Sequence, residues 1–198
     1  MGVILASKSP RRRELLSMLG IDFDVITEEV DETINEALPL ADEIMRLSRL
    51  KAAAVANKAS DTDIVIAADT VVSLDGKVFG KPKDSEDAKR MLGALSGKTH
   101  KVITGVTVTS GGRRDTRSME TDVTFRNLTQ TEIDEYVKTG DPLDKAGAYA
   151  LQGISSIFVR GISGDHFNVY GLPLSMLSDM LRGFGVKILG ESRENTDA

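Results

Sequence analysis

Ser7-Lys8-Ser9-Pro10-Arg11-Arg12-Arg13 brings hydroxyls and cations together where the apolar stretch Val3 to Ala6 gives way to a helix. Ser9 suits the N-cap and Pro10 the first helical position. Arg11, Arg12 and Arg13 then occupy the second to fourth positions, at the positive end of the macrodipole. A cation there is unfavourable by roughly 0.3–1 kcal/mol at low salt. Three such charges call for a counter-anion. Together with free backbone N–H groups and two hydroxyls they describe a phosphate cradle. The plainer alternative is a solvated basic patch paired with Glu14; the agreement of position with residue type favours the anion site. The GxxxxGK[ST] motif is absent, so this is no Walker-type loop.

A carboxylate stands apart from these cations. Ile64-Val65-Ile66-Ala67-Ala68-Asp69-Thr70-Val71-Val72 buries one acid in an apolar run. Such a group needs a cation, a metal or hydrogen-bond donors. Strand ends in open α/β sheets border ligand crevices, which points Asp69 toward catalysis or metal binding. Thr70 adds a hydroxyl to the same rim, although an ordinary strand threonine explains it equally well. Lys51 interrupts the stripe Leu40, Ile44, Leu47, Val55, so it must snorkel, pair or enter a polar cleft. Arg46, Arg49 and Lys58 lie off that stripe and read as surface charges.

Gly80-Lys81-Pro82 fixes a lysine in a loop, either as a turn or as a phosphate contact. Asp31 and Glu32 are adjacent acids suited to a hard metal or to a solvated loop. The small-residue segment from Leu143 to Gly153 admits a ligand close to its backbone and carries Lys145 and Gln152, whose amide can meet a base edge or simply solvent. His100 and His166 lack metal-ligand spacing and receive no role.

The elements that position these groups alternate. Val3–Ala6 reads as a strand, followed by a helix that Gly20 closes. A second strand is expected near Phe23–Thr27, a helix over Leu40–Lys58 and a buried strand over Ile64–Ala68. Asp75-Gly76 signals a hairpin. A helix over Glu86–Leu95 leads to an antiparallel pair, Val102–Val108 and Met119–Phe125, joined at Gly111-Gly112. Thr129 to Glu132 is a capping box opening a helix that Gly140 ends. Strands are expected near Ile157–Val159 and Phe167–Tyr170, then a last helix over Leu174–Phe184 after Pro173. The mixture predicts an α/β fold with a mixed sheet and not a purely doubly wound one.

The chain of 198 residues, 40% of them hydrophobic, fits one domain spanning 1–190 as two lobes around a cleft, with a flexible polar tail over 191–198. Cysteine is absent, which removes disulfides and thiolate chemistry and suits a reducing cytoplasm. A net charge of -5 argues against a general nucleic-acid binder. No apolar run approaches the roughly 18 residues of a membrane span, and the first residues are too short and too little charged for a signal peptide.

The ordered set Ala6-Ser7-Lys8-Ser9-Pro10-Arg11-Arg12, Val30-Asp31-Glu32, Lys51-Ala52, Ala68-Asp69-Thr70-Val71-Val72, Gly80-Lys81-Pro82, Asp144 to Tyr149, Gln152-Gly153 and Gly171-Leu172-Pro173-Leu174 resembles the Maf family of nucleotide pyrophosphatases. The resemblance covers about residues 3 to 185. It implies an elongated mixed α/β fold with a central cleft, like that of inosine triphosphate pyrophosphatases. It also implies a cytoplasmic, often homodimeric enzyme requiring Mg²⁺ or Mn²⁺, with a nucleoside triphosphate as substrate. By that resemblance Asp69 is the proton acceptor; the mechanism expected from these residues has Lys51 and Lys81 neutralising the triphosphate and Glu32 with Asp69 holding the metal. Ser7, Ser9, Arg12 and Lys145 contact substrate; Arg11, Thr70 and Gln152 mark the branch acting on dTTP and UTP. The same chemistry on 7-methyl-GTP or modified pyrimidine nucleotides, and a nucleotide-binding regulator of septum formation, remain as alternatives. A phospho-enzyme phosphatase is disfavoured because Asp69 lacks a DxD arrangement.

Overall fold

The computed structural model describes residues 1–35 and 37–189, so the tail expected over 191–198 lies outside the described residues. Among the described residues seven strands form one mixed sheet. They are β1 (Val3–Leu5), β2 (Asp24–Val25), β3 (Ile64–Leu74), β4 (Lys77–Phe79), β5 (Thr99–Ser110), β6 (Arg113–Phe125) and β7 (Val159–Ser163). Their order is β2-β1-β3-β5-β6-β7, with β4 also on β3. The β1 pairings are parallel and all the others antiparallel. The helices are α1 (Pro10–Ser17), α2 (Leu40–Ala56), α3 (Ser85–Leu95), α4 (Gln130–Lys138), α5 (His166–Tyr170) and α6 (Leu174–Gly183). No helix among the described residues is long and apolar enough to cross a membrane.

The period of two along β3 decides what each residue meets. Val65, Ala67 and Val71 face α2, packing with Ala52 and Val55 or with Ile44 and Leu47. Ile64, Ile66 and Ala68 face the opposite side, against Leu15 and Leu16 of α1 and Leu177, Met180 and Leu181 of α6. Further along that second face, Val72 and Leu74 join Ala88, Leu92, Phe125 and Phe158 under α3 and α4. One face therefore carries α2, and the other carries two separate apolar clusters.

Gly105 of β5 pairs with Asp69 in register. A Cβ on Gly105 would stand 2.7 Å from the Ile44 carbonyl oxygen. Only a glycine lets the α2 backbone lie this close to the sheet.

Several element boundaries differ from those expected. β3 continues to Leu74, because β5 pairs with it from Val65 to Ser73. Asp69 and Thr70 thus sit within a strand and not after one. Phe167–Tyr170, expected as a strand, is the helix α5. The Asp165 carboxylate accepts from the Phe167 and Asn168 N–H groups, and Gly171 at φ 102 closes the turn. Residues Ile154–Phe158 form a 3₁₀ turn, so the expected strand at Ile157 begins only at Val159. The second strand shrinks to Asp24–Val25.

Candidate active site

β1 covers one edge of β3 at Ile64–Ile66, and β4 covers the same edge at Val72–Leu74. Among the described residues no strand covers the stretch between, from Ala67 to Val71. The chain of β1 turns away at Ala6, whose N–H still reaches the Ile66 carbonyl, and enters α1. This interruption opens a cavity of about 550 Å³ bounded by Ser7 to Arg12, Glu32, Lys51, Thr70, Lys81 and Tyr149. Its size suits a nucleotide-sized ligand. Because Asp69 and Thr70 alternate in direction, the gap gives access to functional groups on both faces of the sheet.

On the α1 side, Ser9 is the N-cap, its Oγ accepting from the Arg12 N–H at 3.4 Å. Ser7 Oγ accepts from the Ser9 N–H at 3.2 Å. Two amides counted as free from sequence are thus satisfied internally, and the cradle consists mainly of side chains. Arg12 is the half-buried centre of it. Its Nε donates to the Gly171 carbonyl at 2.8 Å, Nη2 to Thr70 Oγ1 at 2.8 Å and Nη1 to Ser7 Oγ at 3.5 Å. Two of its five N–H groups remain for a ligand. Burial lowers its pKa from the ordinary value and the charge of Asp69 opposes that shift; a guanidinium stays protonated throughout.

Thr70 therefore serves Arg12 first. Thr104 Oγ1 donates to the Asn168 carbonyl at 3.0 Å, so Thr70, 2.9 Å away, must donate to Thr104 while it accepts from Arg12. The buried Asn168 in turn donates to the Val102 carbonyl and to Thr121 Oγ1, tying α5 to the sheet. Sequence reasoning missed Asn168 because it placed the segment in a strand; the Asp165 cap and Gly171 were the available signals.

On the α2 side, the Lys51 ammonium lies 2.5 Å from Asp69 Oδ1 and 2.9 Å from Glu32 Oε1. The side chains of Asp69 and Lys51 are 14% and 15% exposed, whereas Glu32 is 59% exposed. Lys51 lines the cavity and covers Asp69, which lies one side chain behind the wall. A cation held between two carboxylates marks a place of strong negative potential.

The remaining candidates divide. Arg11 and the exposed Lys81 line the cavity, and Lys81 follows Gly80, whose carbonyl accepts from the Gly147 N–H at 3.0 Å. Lys145 does not line it: buried, it donates to the Asp141 carbonyl and to the carboxylates of Asp141 and Asp144. Asp144 does line the cavity; Lys145 and Arg11 hold its carboxyl below the ordinary range against the opposing effect of burial, the largest single influence. Gln152 lies outside the wall, its Nε2 donating to Glu14 at 3.4 Å, one helical turn beyond Arg11. Asp31 accepts from the Thr33 N–H at 2.9 Å and caps a turn, so only Glu32 of that acidic pair reaches the site. Arg46 is no ordinary surface charge, since it pairs with the fully buried Glu43.

A mixed α/β sheet opened at one edge, with a cation-lined anion cradle facing a covered carboxylate, defines a phosphate-ester or anhydride-handling protein. The chain belongs to the Maf-like protein family, whose model matches residues 2–184. It is 48% identical over 184 residues to a protein of Bacillus pumilus (strain SAFR-032) named dTTP/UTP pyrophosphatase, with 93% of this chain and 97% of that one covered. It is 47% identical over 186 residues to a protein of Bacillus cereus (strain AH820) with the same name, covering 94% of this chain and 97% of the other. The solved structure of the Staphylococcus aureus Ham1 protein aligns with a TM-score of 0.51 at 18% identity, over 92% of this chain and 99% of that one. That likeness concerns the fold, and it agrees with the cleft-bearing mixed sheet expected from sequence.

Proposed function

We propose that the chain hydrolyses dTTP and UTP to the monophosphate and pyrophosphate. The observation that carries this reading is the convergence of Arg12 and the Asp69–Lys51–Glu32 group on one cavity. The names of the 47–48% identical relatives support the substrate. Phosphoryl chemistry of this kind is governed by positioning and electrostatic stabilisation.

Arg12 binds the triphosphate with its two free N–H groups, and the Ser7 and Ser9 hydroxyls orient it. Lys51 and Lys81 neutralise charge as pyrophosphate departs. When the phosphates draw Lys51 away, Asp69 is free to take the proton of the water that attacks the α-phosphorus. The new P–O bond forms to water oxygen, and the bond to the bridging oxygen of pyrophosphate breaks. Arg11, on the wall, reads the base, with Gln152 outside the wall on Glu14, one helical turn away; Lys145 acts through the loop it organises.

Mg²⁺ or Mn²⁺ is part of the proposal. Among the described residues no cluster of three or more His, Cys, Asp or Glu side chains could hold a metal. Asp69 and Glu32 flank a cation position on the cavity, filled by the Lys51 ammonium. Two hard oxygen donors fit an ion that arrives with the phosphates, because Mg²⁺ takes one or two carboxylates plus substrate oxygens. Bound there, it would supply charge neutralisation and acidify water. The proposal also includes a homodimer in the cytoplasm, for which the family resemblance is the support; sedimentation equilibrium checks the dimer.

The test is hydrolysis of dTTP in ¹⁸O-water with Mn²⁺. Attack at the α-phosphorus places label in dTMP; label in pyrophosphate overturns the mechanism. Asp69→Asn should abolish turnover without lowering the melting temperature. Retained wild-type turnover in that variant would remove Asp69 as the base.

A further inference from the structure

Glu43 is a carboxylate with no exposed side-chain surface, in the first turn of α2 and outside the cavity wall. Its Oε2 accepts from Arg46 Nε at 2.7 Å, and its Oε1 accepts from Arg46 Nη2 at 2.6 Å and from the Asn35 N–H at 2.8 Å. Arg46 Nη2 also donates to the Thr33 carbonyl at 3.1 Å. The pair thus grips two backbone groups of a segment that has no helix or strand of its own. A buried ion pair is often no more stabilising than apolar residues of the same volume. Its presence here calls for a geometric reason.

The gripped segment supplies the acidic side of the cleft. Thr27, Glu28, Glu29, Val30 and Glu32 all line the cavity. The segment runs antiparallel along α2: Glu28 pairs with Lys58 at 2.6 Å, Glu32 with Lys51 at 2.9 Å, and Thr33 and Asn35 with Arg46 and Glu43. Glu29 pairs with Lys8 across solvent at 3.4 Å. The Lys58 and Lys8 pairs are exposed, and such contacts contribute little and are screened by salt. Glu32 itself is more than half exposed, so its bond to Lys51 cannot fix it alone. The most sheltered polar attachment in this group is the Glu43 carboxylate on the Asn35 N–H, three residues beyond Glu32 and next to Ile34, which packs against Ile44 and Leu47.

We propose that Glu43 and Arg46 are positioning residues for Glu32: by clamping Thr33 and Asn35 to α2 they hold the Glu32 carboxylate at Lys51 and Asp69, where the divalent cation of the reaction is received. This rests on the proposed pyrophosphatase reading, in which Glu32 and Asp69 share the ion. Neither clamp residue touches substrate. Their loss should weaken ion capture and leave the chemical step nearly intact once the ion is saturating.

The experiment compares the wild-type chain, Glu43→Gln, Arg46→Lys, Glu32→Gln and the Glu43→Gln/Glu32→Gln double variant. Amide hydrogen exchange at Asn35, without metal or nucleotide, should accelerate by at least tenfold in Glu43→Gln relative to amides of β5. In dTTP hydrolysis the Mn²⁺ concentration for half-saturation should rise roughly tenfold, with kcat at saturating Mn²⁺ within about twofold of wild type. Mn²⁺ binding followed by electron paramagnetic resonance, with a non-hydrolysable dTTP analogue, should weaken in parallel. In the Glu32→Gln background, Glu43→Gln should add nothing further, since the two act in series. Additive effects in that background, unchanged Asn35 exchange, or a fall in kcat with no shift in Mn²⁺ dependence would each overturn the clamp. Should Glu43→Gln not fold, Arg46→Lys gives the same readouts at a half-exposed position. A wild-type chain without triphosphate hydrolysis refutes the proposed function; Asn35 exchange and Mn²⁺ binding then still decide the clamp.

Discussion

Acidification should weaken this fold through His100. The imidazole is 2% exposed, with Nε2 2.8 Å from the Tyr149 hydroxyl and the rings of Phe125 and Tyr149 edge-on to it. Burial pushes its pKa down from 6.5 to about 4, with no neighbouring charge contributing. The folded state therefore keeps His100 neutral while the unfolded chain protonates it below about pH 6.5. Above that pH the group has no effect on stability. Below it, unfolding takes up one proton more, and stability falls by about 1.4 kcal/mol per pH unit. The loss amounts to about 2 kcal/mol at pH 5 and about 3 kcal/mol at pH 4. That is a large share of the roughly 5–15 kcal/mol typical of a domain.

The assay is urea unfolding between pH 7 and 4 for the wild type and for His100→Gln, whose amide can still bond Tyr149 but does not titrate. Carboxylates held below their ordinary range, such as Glu43 and Asp87, also destabilise in acid, but they are common to both proteins and cancel. The stability advantage of the wild type should shrink by about 2 kcal/mol between pH 7 and pH 5. A difference that stays constant with pH would refute the argument.

Three further outcomes follow from the geometry. Gly105→Ala places a Cβ against the Ile44 carbonyl and should cost about 1–3 kcal/mol, read by thermal unfolding; it should also lower turnover by displacing the helix that carries Lys51. Arg12→Lys keeps the charge but loses the fork to Gly171 and Thr70, so kcat/KM for dTTP should fall by about 10²-fold. Thr70→Val removes the acceptor beneath Arg12 and should cost about tenfold in kcat/KM, with turnover of UTP and dTTP reduced in equal proportion because Thr70 acts through Arg12. A change of base preference in Thr70→Val would instead assign that hydroxyl to the base.

Much of the site could be read from local chemistry. Ser9-Pro10 before three arginines is a helix start in need of an anion, whatever the rest of the chain does. Lys51 in an apolar stripe and Asp69 in an apolar run each required a partner, and they found each other. What could not be read was which polar residues are dry. Arg46 looks like any surface arginine until the fold closes Glu43 beneath it. Lys145 and Gln152 belong to the same small-residue loop, yet one is consumed by Asp141 and Asp144 and the other turns to Glu14.

The chain's own order of residues determined the elements that depend on neighbours a few positions away: the caps, the apolar periods of the helices, the hairpin turns. It also determined the charge types that had to meet. Tertiary structure decided the length of β3, since β5 pairing carries it through Asp69 and Thr70. It also decided the opening at Ala67–Val71, which exists because β1 and β4 cover different parts of one edge. Strand pairing and the close approach of α2 over Gly105 join residues tens of positions apart. Such contacts depend on space filled by the whole molecule, and no local pattern carries them.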